Sequence, residues 1–185
     1  MEQQSLATLF YWPFASSVNP IHRGEGAMPE SIADLVLNQL AAVLREAIEG
    51  SPERWSYFTD SGQKGGFIGT LTPLTAEDAS LAVGGTSIAA HVHHVAWGMD
   101  ATAAWIRGDR EGRDWKESWK IMTGDREAWT HLVGELRGQY DQLRQTIHSH
   151  ALDGDESFGG AVAAIAHLAY HLGAVRQKIA LLHQR

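Results

Sequence analysis

The chain has 185 residues, with 15 Lys and Arg against 22 Asp and Glu, a formal net charge of −7 and no cysteine. The acidic balance lacks the basic face that sequence-independent nucleic-acid binding needs, so nucleic acid is not an expected partner. Zero cysteine excludes disulfide scaffolds, thiolate metal sites, iron–sulfur clusters and cysteine nucleophiles, and leaves ten histidines and seven tryptophans as the unusual features.

In chain order, residues 1–27 read as an N-terminal extension and residues 28–185 as one domain. The apolar patch from Leu6 to Ala15 follows Glu2 rather than a basic stretch and is interrupted by Pro13, which argues against a signal peptide. A true start at Met28, just before the first strong helical pattern, is an alternative. No apolar run reaches the roughly 18–20 residues of a membrane span, so a cytoplasmic protein with no membrane partner is expected. The first helix is predicted from about Pro29 to Glu49. Ile32, Leu35, Val36, Leu40, Val43, Leu44, Ala47 and Ile48 recur there at the spacing of one face, and Gly50 and Pro52 stop it. Residues 51–85 form a long glycine-rich connection in which Thr75 caps a short helix. A second helix starts at Thr86 or Ser87 and ends near Gly108, with Ile88, Val92, Val95, Met99, Ala103 and Ile106 as its stripe. Residues 109–124 are a charged connection whose Trp115 and Trp119 are expected to pack on the domain. The third helix runs from about Asp125 to Ser149, carrying Leu132, Leu136, Tyr140, Leu143 and Ile147 at helical spacing, and the fourth from about Ser157 to His183. No segment of length alternates with period two, so no sheet is expected. The fold class is all-α, a four-helix bundle with a long connection between helices one and two.

The candidate chemistry lies in two histidine clusters, His91, His93 and His94 on the second helix and His167 and His171 on the fourth. Two imidazoles four apart share a helix face and can reach one ion. The glutamate of the HExxH metalloprotease motif is missing, because Leu168 follows His167. The same pair would also serve as hydrogen-bonded residues at a helix seam. At ~100° per residue, His91 lies nearest the second helix's apolar centre, His94 further off and His93 on the opposite, solvated face. One histidine from the second helix with two from the fourth makes a three-imidazole set with an open position, suited to zinc, nickel, copper or iron. Carboxylates at di-iron spacing and a phosphate-binding loop are absent from the sequence.

The segment Ser87-Ile-Ala-Ala-His91-Val-His-His94, with His167-Leu-Ala-Tyr-His171-Leu-Gly-Ala-Val-Arg-Gln on the last helix, resembles the DinB-like (damage-inducible) four-helix-bundle family from about Met28 to the C-terminus. The resemblance implies a divalent metal (zinc, nickel or iron) held by one histidine of the second helix and two of the fourth, and a homodimer. His167 and His171 match the fourth-helix pair. His94, in the context His94-Val95-Ala96, matches the second-helix ligand, with His91 in reserve. Ala174 departs from the Gln that many members carry. Members include S-transferases and isomerases that use thiols such as bacillithiol or mycothiol. The implied reaction is therefore thiol-dependent transfer to an electrophilic small molecule, the thiol coming from a cosubstrate. A non-catalytic stress-response or binding module, with a structural metal or none, and a metal-dependent hydrolase are the alternatives. Among the remaining residues, Tyr170 reads as packing, Arg176 as an anion contact or a solvated side chain, and Trp97 as core or a pocket wall. Trp55, Trp105 and Trp129 read as packing anchors, and His22, His131, His148, His150 and His183 as surface.

Overall fold

Ser31 opens the first helix with a reciprocal cap. Its hydroxyl accepts from the Asp34 amide, and the Asp34 carboxylate accepts from the Ser31 amide. The computed structural model describes residues 31–52, 55–58, 62–120, 124–150, 152 and 154–184. The expected extension and the expected start at Pro29 lie outside the described residues. The described chain is mostly helical, with four long helices, α1 (Ile32–Glu49), α4 (Ile88–Ile106), α5 (Arg126–Ser149) and α6 (Asp155–Leu182). Each lies within a few residues of where the hydrophobic pattern puts it. Gly50 ends α1 at a φ of 87°, a conformation that favours glycine.

The connection between α1 and α4 is built rather than structureless. It holds a 3-10 turn (Gln63–Gly65), α2 (Phe67–Leu71) and α3 (Ala76–Ser80). Thr75 caps α3 through Asp78, as its sequence predicts. Gly66 allows this segment to press on the end of α1, since a Cβ there would sit 2.6 Å from the Ile48 carbonyl oxygen. The expectation of no strand is corrected on a small scale. Ala82–Val83 (β1) and Thr86–Ser87 (β2) pair antiparallel around Gly84-Gly85, both with positive φ. Two residues a side are too few to show period-two alternation; the Gly-Gly pair is the signal that would have found the hairpin.

α4 is the central element. It packs against α5, α6, α3, β2 and a second 3-10 turn (Glu117–Trp119), while α1 packs on α6, α5 and α2. Leu44, Ile48, Phe67, Ile88, Met99, Leu132, Leu136, Leu143 and Leu168 fill the shared core. The first half of α1 departs from its expected burial. Ile32 is 80% exposed and Leu35 43%, and both line an apolar groove of about 660 Å³ between α1 and α6. One reading of the sequence also changes for α6. An 18-residue window of this 28-residue helix reaches a mean hydropathy of 1.4, so by length and composition it is able to cross a membrane. Of that window 33% is buried; Leu168, Leu172 and Val175 are on the buried face and pack on neighbouring helices.

Candidate metal centre

α4 and α6 face each other with small residues between them, and the histidines occupy that seam. A Cβ at Gly98 would lie 2.9 Å from the His167 Cε1 and 3.0 Å from its Nδ1. The missing side chain at Gly98, one turn after His94, thus makes the cradle in which the His167 ring sits. One ring nitrogen from each of His94, His167 and His171 lies within 4.8 Å of the others, and the three could hold a metal ion. The His167 Nε2 and the His94 Nε2 are 3.0 Å apart. Tetrahedral bonds of ~2.0–2.1 Å would keep such nitrogens roughly 3.3 Å apart, so the pair needs little movement to share one ion.

The proton positions follow from the neighbours. The Ser118 hydroxyl, fully buried, donates its one proton to the Trp115 carbonyl at 2.6 Å. It must therefore accept from the His94 Nδ1, which lies 2.6 Å away. That fixes His94 with its proton on Nδ1 and its lone pair on Nε2, aimed at His167. A cation and the His167 proton compete for that lone pair. The Ser118 carbonyl also accepts from the His93 Nδ1 at 2.7 Å. The solvated role expected of His93 is corrected: the Glu117–Trp119 turn covers that side of α4, whereas wheel arithmetic assumes one buried face.

His91 is close to the triad without being in it. Its Nδ1 lies 2.8 Å from the His171 Nδ1, and its Nε2 3.0 Å from the Thr86 hydroxyl. Lys178 holds the hairpin in place by donating to the Val83 and Thr86 carbonyls. Thr86, His91 and His171 thus form a chain of polar contacts running from the hairpin into the site. His94, which the resemblance gives as the second-helix ligand, is in the set that could hold an ion; His91, kept in reserve because the wheel places it nearer the apolar stripe, is not.

Burial dominates the electrostatics. It lowers His94 to about 4, with His167, His91 and His93 adding to the effect. His171 falls to about 3 for the same reason, with His167, His91 and His94 contributing. His91 falls to about 4 through burial and then the Lys178 charge, and His167 is lowered by burial. All four are neutral at pH 7, which is the form that ligates a metal. The donor set, its protonation and the Gly98 cradle fit a divalent cation.

Two tryptophans that sequence reasoning gave to packing alone lie on the centre. The Trp119 indole stacks on His94 with centroids 4.0 Å apart and planes 20° apart, and meets His91 edge-on at 5.3 Å. Trp115 meets His94 at 5.8 Å and His167 at 6.5 Å. Their signal in the sequence was the pairing of two indoles around a buried serine in an otherwise charged connection. Trp97 instead lies beside His93, 6.0 Å between rings, its buried indole N–H without a partner among the described residues. Tyr170 is 71% exposed, with its ring edge-on to His171. The Arg176 guanidinium donates to the Gly65 carbonyl at 2.7 Å, tying α6 to the connection. His131, His148, His150 and His183 are exposed; His22 lies outside the described residues. Compared with known proteins, the chain matches no family model, no curated protein and no solved structure.

Proposed function

We propose that this chain is a DinB-like metalloprotein, a four-helix bundle of α1, α4, α5 and α6 that binds one divalent ion through His94, His167 and His171. The observation that carries the reading is the convergence of three neutral imidazoles, one from α4 and two from α6, within 4.8 Å. Ser118 fixes the tautomer of one ligand and Gly98 seats another. A bound divalent ion would acidify a thiol or water that reaches its open position, making a nucleophile at neutral pH. With no cysteine in the chain, the thiol is a low-molecular-weight cosubstrate, and the reaction is S-transfer to an electrophilic small molecule in the cytoplasm. Metal-dependent hydrolysis is the second reading, favoured by Asp109 and Glu111, which line the same cleft as His94 and His167. A second copy of the chain is the proposed partner, supported by the exposed Ile32 and Leu35 in the α1–α6 groove.

Untagged protein, purified without added metal, should contain near-stoichiometric metal that His167→Ala/His171→Ala lacks. Assays of the loaded protein with bacillithiol or mycothiol and an electrophile should then give turnover that requires the thiol. Equal metal in wild type and double variant would end the metal reading. Metal-dependent turnover without thiol would move it to hydrolysis.

A further inference from the structure

A cleft of about 720 Å³ opens beside the histidine triad, and His94 and His167 are both on its wall. Its volume falls within the roughly 300–1,000 Å³ of small-molecule sites. Gly98, Ala101, Ala163 and Ala164 from α4 and α6 leave the space, and Trp105 and Trp115 supply flat apolar surface. These two indoles are 37% and 47% exposed, which is unusual surface for tryptophan unless something covers it.

The charges on the cleft balance, so they single out neither an anion nor a cation. They are Asp109, Arg110, Glu111 and Arg113, two of each sign. Arg113 is paired with Asp100 at 2.5 Å. Arg110 is paired with Glu156 at 3.1 Å, donates to the Trp105 carbonyl at 2.6 Å, and lies 4.0 Å over the Trp105 ring. The Asp109 carboxylate accepts from the Glu111 amide at 2.9 Å. An anion entering here would have to break an existing ion pair to find a partner. An apolar, planar molecule needs only to displace water from the Trp115 indole, the alanines and the part of Trp105 that Arg110 leaves open.

We propose that this cleft is a substrate site for an uncharged small molecule with a flat, largely apolar ring system, held between α4, α6 and residues 109–115. The inference rests on the metalloprotein reading for the role of His94 and His167, and names the acceptor class of that site. His94 and His167, with the ion they would hold, form one part of the wall, while Trp105 and Trp115 bind the ligand's body.

The test is calorimetric titration of the untagged, metal-free full chain with 1-naphthalenemethanol, beside the anionic 1-naphthalenesulfonate and the cationic 1-naphthylmethylamine. The neutral probe should bind one per chain, at least tenfold tighter than either charged one. Ala163 is solvent-exposed and lines the cleft, so Ala163→Trp should fill it, weaken the neutral probe at least tenfold and leave metal content unchanged. Gly160→Leu is a second blocking variant, because a Cβ there meets Thr102 and Trp105 only at ordinary contact distance. Ala166→Trp, in the α1–α6 groove, should leave binding unchanged. Absence of binding, equal or tighter binding of a charged probe, or unaltered affinity in folded Ala163→Trp and Gly160→Leu would overturn the proposal. Wild type that takes up no zinc would contradict the metal reading, and the titration of the metal-free chain would still decide the cleft.

Discussion

α4 and α5 pack against each other, yet 13 of the 19 residues of α4 are buried against 7 of the 24 in α5. α5 obeys the amphipathic rule. Trp129, Leu132, Leu136, Tyr140, Leu143 and Ile147 form one buried stripe, and the remaining faces meet solvent. α4 is covered on several sides, and it places His91 and His94 where a purely structural helix would place apolar residues. The difference separates stability from chemistry. α5 contributes burial alone, whereas α4 holds polar groups that burial keeps neutral and that neighbouring segments must orient.

The contrast can be broken most forcefully at Leu136, which is fully buried in α5. Leu136→Ala should cost about 2–5 kcal/mol of stability, read by denaturant unfolding, while the folded protein keeps its metal stoichiometry. Ser118→Ala should do the reverse. The fold should stay within about 1–3 kcal/mol of wild type, and metal affinity, read by competition with a chelator, should fall roughly 10–100-fold as His94 loses its orienting partner. Gly98→Ala should displace the His167 ring and weaken metal binding by a smaller factor, with little change in melting temperature because a side chain rather than backbone gives way. His91→Gln should weaken metal binding least, since His91 acts through its contact with His171.

pH sharpens the same comparison. His91, His94 and His171 titrate in the folded chain at about 3–4, below the ordinary value of 6.5, and burial lowers His167 as well. Their lowered values mean that the unfolded chain binds protons first as pH falls. Stability is therefore complete above pH 6.5 and is lost progressively toward about pH 3–4. The metal-free protein should lose melting temperature steadily as pH falls from 6.5 to 4.5. His91→Gln should flatten that slope.

Much of this was legible in the sequence because it is local. The stripes of the long helices, the Ser87 cap, the Thr75 cap and the Gly50 stop each depend on residues a few positions apart. His167 and His171 were legible for the same reason, four apart on one helix. What sequence periodicity could not supply was contact across elements. The roles of His93 and His94 depend on a turn 24 residues further along that places Ser118 over α4. The exposure of Ile32 depends on what α6 leaves uncovered. Trp105 and Trp115 read as packing because a helical pattern does not reveal a cleft.

His94, His167 and His171 could hold one metal ion together. The most direct measurement is X-ray absorption at the metal edge of untagged, zinc-loaded protein. A three-histidine site should show one ion per chain with three imidazole nitrogens at ~2.0–2.1 Å. Zinc that does not bind stoichiometrically, or that binds through fewer than three imidazoles, would contradict it.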